Sequence, residues 1–361
     1  MLFEPFQLGP LTLRNRLVMA PMTRNRADAG HLPTPIMAEY YGQRAAIGLI
    51  ITEGVAPSPN GAGYARIPGL YSAEQVAAWR PVTDAVHARG GKIFMQMMHT
   101  GRASHVANLP AGAIVVGPTD AAMPGEIWTD ASMMQPPSTP HALTDAEIHA
   151  AIAEFATSAT LAIESGFDGV EIHGANGYLV EQFLNANVNT RTDAWGASPE
   201  ARNRFALEVT RAVVSAIGAE RVGIRLSPFG AFNATGAYDG IEAQYLELAK
   251  ALGAMKLAYL HLVDHSSMGA PTVPVAFKAA LRAAFGGVFV GSGGLDKAHA
   301  EQLLADGKAD LVAFGRAALA NPDLVERLAG DQPLNAPDFS TFYTPGEKGY
   351  TDYPALTASV A

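Results

Sequence analysis

Eight short runs rich in Val, Ile, Leu and Phe alternate along this chain with longer segments of helical period, and that alternation restricts the fold more than any other feature. The runs fall at residues 17–20, 49–53, 92–99, 169–173, 222–226, 259–263, 288–291 and 311–314. Helical patterns occupy 72–89, 145–165, 199–217, 241–252, 275–284, 296–305 and 317–328. Ser198 before Pro199, and Thr144 before the acidic pair Asp145 and Glu147, read as helix starts. Near-continuous apolar strands separated by helices indicate a parallel sheet covered on both faces. Eight such units predict an α/β fold closed as a (β/α)8 TIM barrel, since open doubly wound sheets have fewer strands. A barrel takes about 250 residues, which leaves about 110 for additions. Those expected are an N-terminal β-hairpin at 6–16 turning at Gly9-Pro10, a lid-like insertion at about 102–143 after the third strand, and a tail at about 335–361. The reading is one domain spanning 1–361.

Composition narrows the chemistry. Apolar residues make up 48% and charged residues 16%, enough for a large core and too little charge for a disordered chain. A net charge of −9 without a long basic run disfavours nucleic acid as a partner. The absence of cysteine excludes disulfides, thiolate nucleophiles and Cys-ligated zinc or iron–sulfur sites. Residues 1–10 lack the pattern of a secretory signal, and no apolar run approaches the roughly 20 residues of a membrane span. The expected compartment is the cytoplasm, the expected state a monomer or homodimer.

In such a barrel the polar residues at the C-terminal strand ends are the candidates for function. Gly291-Ser292-Gly293-Gly294 and Gly315-Arg316 follow the last two runs, where glycines let backbone N–H groups approach a phosphate and Arg316 adds a guanidinium. Tight strand-to-helix turns would also use these glycines. Arg225 is a lone cation in an apolar run and must be paired, either with a carboxylate such as Glu171 or with an electron-rich ligand ring. His173, Asn176 and Tyr178 sit where the fourth run ends; the first two can donate to a substrate oxygen, and Tyr178 offers an acid. Gln96 could meet an amide-like ring edge or simply be a satisfied core residue. His87, His149 and His299 fall on helices and read as solvent-facing. His261, Asp264 and His265 lack the spacing of a metal site, and no metal is expected. No Ser lies in a nucleophile elbow.

These residues resemble the old yellow enzyme family of FMN-dependent ene-reductases, close to its N-ethylmaleimide reductase-like bacterial branch. The resemblance runs through Leu8-Gly9-Pro10, Asn15–Arg24, Ala38-Glu39-Tyr40-Tyr41, Ile50-Ile51-Thr52-Glu53, His173-Gly174-Ala175-Asn176-Gly177-Tyr178-Leu179, Asn189–Asp193, Phe314-Gly315-Arg316 with Ala320–Leu324, and Gly349–Pro354. It implies non-covalent FMN, with NADPH or NADH as reductant. Pro21, Thr23, Gly54 and Gln96 would contact the ring, Arg225 its N1/O2 edge, and Gly293, Gly294, Gly315 and Arg316 its phosphate. His173 and Asn176 would hold the substrate oxygen, Tyr178 would donate the proton, and Tyr64, Met98 and Tyr343 would shape the pocket. The implied reaction is reduction of the C=C bond of enones and maleimides by ping-pong hydride transfer from flavin N5, with nitroalkenes left open.

Two departures stand out. Many relatives have Trp two residues after the flavin-contacting Gln, whereas this chain has Met98, which predicts a roomier pocket. The His173/Asn176 pair, where close bacterial relatives often have two histidines, leaves nitro compounds and nitrate esters open as substrates. An aldolase or isomerase barrel would need a Schiff-base Lys at a strand end, yet Lys92 and Lys256 precede their strands. A non-catalytic flavin sensor would not need Tyr178.

Overall fold

The structure, a computed structural model, describes residues 1–356; the last five residues of the predicted tail lie outside them. Eight parallel strands close into a barrel: β1 Leu17–Met19, β2 Leu49–Val55, β3 Ile93–Met97, β4 Gly169–Gly174, β5 Val222–Leu226, β6 Tyr259–Val263, β7 Phe289–Ser292 and β8 Leu311–Phe314. Each pairs with the next, and β8 returns to β1 through Phe314 opposite Met19. The predicted strand set is therefore the barrel, shifted by a residue or two at several ends.

Side-chain alternation explains how apolar strands also carry a polar site. Leu17, Met19, Ile50, Met95, Val170, Ile172, Val222, Ile224, Leu260, Leu262 and Val312 point outward into one large core with the helices. The alternate set, Val18, Leu49, Ile51, Phe94, Tyr259, Val290, Leu311 and Ala313, fills the lower barrel interior. Leu8 and Leu13 join that inner cluster from the predicted hairpin, whose strands Phe6–Leu8 and Leu11–Leu13 pair antiparallel, so the hairpin plugs the floor. Further up, the inward positions become polar: Gln96, Glu171, His173, Arg225 and His261.

The helices start where the sequence signals them. Thr144 forms a capping box with Glu147 ahead of Asp145–Glu164, and Ser198 caps Pro199–Ile217 by accepting from the Ala201 N–H. Two helices were not legible. Pro35–Gln43 buries Met37, Tyr40 and Tyr41 without a clear polar face, and Leu179–Leu184 is a single buried stretch after Tyr178. The predicted helix at 317–328 is two, Arg316–Ala320 and Leu324–Ala329, because Asn321-Pro322 interrupts the hydrogen-bond ladder.

The insertion forms a small structured cap. Ile127–Thr129 pairs with Met133–Gln135, and Val116–Gly117 pairs with His141–Ala142 at its root. Arg191 clamps that root by donating to the Pro118 and Leu143 carbonyls at 2.9 and 2.7 Å. The tail is clasped in turn: Arg24 donates to the Phe342 and Gly349 carbonyls, Arg26 to those of Thr341 and Lys348, and Tyr350 stacks on Tyr40 at 4.0 Å. Among the described residues no helix is long and apolar enough to cross a membrane.

Candidate active site

The upper barrel interior is a layered polar assembly. Strand register sets His173 beside Arg225 and Arg225 beside His261. One step lower, Glu171 lies beside Gln96 on one side and Gly223 on the other. Glu171 is fully buried, with each oxygen engaged: Oε1 accepts from Gln96 Nε2 at 2.9 Å, and Oε2 is bonded to His261 Nδ1 at 2.9 Å.

Arg225 is thus not paired with Glu171, the carboxylate alternative read from the sequence. Its Nε is buried without a partner, and among the described residues no carboxylate lies within ion-pair distance. Burial lowers its pKa, while Glu171 acts in the opposite sense. His173 Nδ1 and Asn176 Oδ1 are likewise buried and unpartnered. Burial, then the Arg225 charge, push the His173 pKa well below its ordinary value, so the ring is neutral at pH 7 and keeps one N–H to donate.

The loop after β4 is held in a defined shape. Asn176 has φ of 60° and Gly177 of 73°, a left-handed pair that Asn and Gly tolerate best. Ser227 Oγ accepts from the Asn176 N–H at 2.9 Å, and buried Glu181 accepts from the Gly177 N–H at 2.6 Å and from Ser227 Oγ at 3.0 Å. Asn233 Nδ2 donates to the Asn176 carbonyl at 2.8 Å. Burial raises the Glu181 carboxyl to about 7. This support shell, with Ser227, Asn233 and Glu181, was not read from the sequence; buried acids near a strand end were the available signal.

Tyr178 packs edge-on against His173 at 5.0 Å and against Tyr64 at 6.0 Å. Burial raises its phenol well above the ordinary tyrosine value, and Tyr64 adds to that, so the hydroxyl is protonated at neutral pH. Ala103, Met123 and Ile127 from the insertion pack with Tyr64 and Tyr178, which makes the insertion the roof of this pocket. Met98 is buried beside Tyr64 and Tyr178, and a Cβ at Gly54 would collide with the Met98 sulfur, which accounts for the glycine. Pro21 is buried and Thr23 half-buried on the segment leaving β1, whereas Tyr343 is 60% exposed on the tail.

The glycine turns sit at the far side of the mouth. Gly293 and Gly294 have φ of 136° and 65°, and side chains there would meet Asp264 and Ser267. The following helix begins only at Lys297, with Asp296 capping it through the His299 N–H, so its N-terminus is already occupied. Gly315 precedes Arg316, whose side chain is exposed. Of the discounted histidines, His149 and His299 are exposed, but His87 is held by Asp168 at 2.8 Å beside Lys92.

Comparison with known proteins gives the family. Residues 1–335 match the family described as NADH:flavin oxidoreductase / NADH oxidase. The chain is 42% identical over 376 residues to 12-oxophytodienoate reductase 7 of Oryza sativa subsp. japonica, covering 98% of this chain and 94% of that one. It is 42% identical over 359 residues to a probable flavin mononucleotide-dependent alkene reductase of Leishmania infantum, at 98% and 97% coverage. Morphinone reductase, solved in complex with tetrahydroNAD, superposes with a TM-score of 0.94 at 42% identity, covering 100% of this chain and 99% of that one.

Proposed function

Because the chain belongs to the NADH:flavin oxidoreductase / NADH oxidase family, in its old yellow enzyme group of FMN-dependent, NAD(P)H-consuming ene-reductases, we propose that it reduces the C=C bond of enones and maleimides. The observation that carries this reading is a set of three unpartnered buried groups at the end of β4 and beside it, Arg225 Nε, His173 Nδ1 and Asn176 Oδ1, with the Tyr178 ring packed on His173. Buried polar atoms are normally satisfied, so a cluster of unsatisfied ones marks a place where a ligand supplies the partners.

The same residues suit FMN. Arg225 offers a cation where a reduced isoalloxazine carries negative charge, Gln96 a carbonyl at its pyrimidine edge, and Pro21, Thr23 and Gly54 a wall for the ring. Gly293 and Gly294, packed without side chains against Asp264 and Ser267, would hold the phosphate through their backbone with Gly315 and Arg316. When bound, FMN carries the hydride between the nicotinamide reductant and the alkene.

The chain's own residues do the rest. His173 donates its single N–H to the carbonyl oxygen of the alkene, and the Asn176 amide turns its NH2 to the same atom. Both bonds strengthen as enolate-like charge develops, the role of an oxyanion site. The Glu181–Ser227 support holds the Asn176 backbone N–H and so fixes the loop that carries the amide. Tyr178 holds its proton and delivers it to the α-carbon from the face opposite the hydride. The insertion packs Ala103, Met123 and Ile127 against Tyr64 and Tyr178, giving the pocket an apolar roof. The purified protein should be yellow, bleached by NADH or NADPH under anaerobic conditions and recoloured by 2-cyclohexenone. Protein that stays colourless after FMN is added refutes the reading.

A further inference from the structure

The reaction as described leaves Glu171 without a duty, although it is a fully buried acid on the barrel axis side of β4. Gln96 is fixed by it. A carboxylate only accepts, so the Gln96 amide must aim its NH2 at Glu171, and the 2.9 Å contact settles the orientation that an isolated amide would leave open. Gln96 Oε1 is then the end left for the mouth, as an acceptor. The second Glu171 oxygen holds His261, whose ring stands level with Arg225. Burial lowers the His261 pKa, so it is a neutral partner and does not neutralise the acid.

We infer that Glu171 is a positioning residue for the flavin, an inference that rests on the function proposed above. It locks Gln96 as an acceptor for the ring N–H. It also sets a negative charge beneath Arg225 that limits how strongly the guanidinium favours the reduced, anionic ring. Orientation and charge are separable. Glu171→Gln keeps the reach and removes the charge; Glu171→Asp keeps the charge and loses the reach to Gln96.

The test uses the FMN-loaded enzyme, with FMN release on dilution read by its fluorescence and the midpoint potential read against redox dyes. Glu171→Gln should shift the bound cofactor tenfold toward the reduced form, a rise of about 30 mV for a two-electron couple. Glu171→Asp should leave the potential at the parent value while weakening FMN binding about tenfold. In a Gln96→Met background Glu171→Asp should cost no further affinity, because its effect acts through that amide. Parent-like affinity and potential in the folded Glu171 variants overturn the inference, as does full additivity with Gln96→Met. If Glu171→Gln does not fold, the Asp variant and the Gln96→Met cycle still decide the orientation claim. A parent that takes up no FMN overturns the proposed function instead, and that outcome is seen before any variant is made.

Discussion

Replacing Arg225 by Met should make the FMN-free protein more stable and the enzyme worse. The guanidinium is buried, among the described residues its Nε lacks a partner and no carboxylate lies at ion-pair distance, and its lateral neighbours are the histidines His173 and His261. Exchanging buried ionic groups for apolar residues of similar volume stabilises by about 1–4 kcal/mol. With about 2 kcal/mol for Arg225, and about 2 °C per kcal/mol in a chain of this length, Tm should rise by about 4 °C. Loaded protein should behave differently. At a FMN concentration of about 100 Kd the parent gains about 2.7 kcal/mol from binding, whereas a variant bound a hundredfold more weakly gains only about 0.4 kcal/mol. Thermal melts of both proteins, stripped of FMN and then loaded at equal concentration, read the two effects separately. If stripped Arg225→Met melts below stripped parent, Arg225 is a structural residue and its assignment to a ligand fails.

Other substitutions probe the remaining roles. Tyr178→Phe should retain reduction of the enzyme by NADH but slow reoxidation by 2-cyclohexenone at least tenfold; an unchanged reoxidation rate removes Tyr178 as the acid. Met98→Trp should invert or sharpen facial selectivity on β-substituted enones by filling space beside Tyr64 and Tyr178, measured by chiral chromatography of the products. Glu181 has its folded pKa raised from 4.5 to about 7, so the folded state holds the proton more tightly than the unfolded state. Its stabilising contribution is therefore complete below about pH 4.5 and lost as pH rises to about 7, by about 3 kcal/mol. The stability difference between parent and Glu181→Gln, followed by urea titration, should fall across that window, and a flat difference contradicts the assignment. NADH should exceed NADPH in kcat/KM about tenfold: Arg102 is the one Lys or Arg in 102–143 and is spent on the Asn233 and Ala234 carbonyls, while Arg66 is paired with Asp130 and Lys278 with Asp264. A 2′-phosphate needs a free cation, so equal use of both reductants counts against this reading of the rim.

The barrel was legible because its outward strand faces and its helix faces obey simple periods, and because caps such as Thr144 and Ser198 act locally. The hairpin was legible from Gly9-Pro10, and its place as the barrel floor was not, since Leu8 and Leu13 meet Phe94 and Tyr259 only through closure of the sheet. Helix Pro35–Gln43 escaped notice for a related reason. Tyr40 serves the tail clasp around Arg24 and Tyr350 while Tyr41 turns its hydroxyl to Glu53, so no clean apolar stripe remains to be read.

The polar interior follows the same logic at higher resolution. In strands buried on both faces, a polar residue at an inward position near the C-terminal end is compatible with burial only if something there satisfies it. Arg225, His173 and Gln96 could be picked out one at a time on that ground. What no single strand could disclose is which polar residues satisfy each other. Glu171 belonged, on the sequence, equally to Arg225; the register across β3, β4 and β6 gives it to Gln96 and His261 instead. That reassignment is what leaves the guanidinium facing the mouth, so the cation available to a ligand is a product of barrel closure and not of any motif.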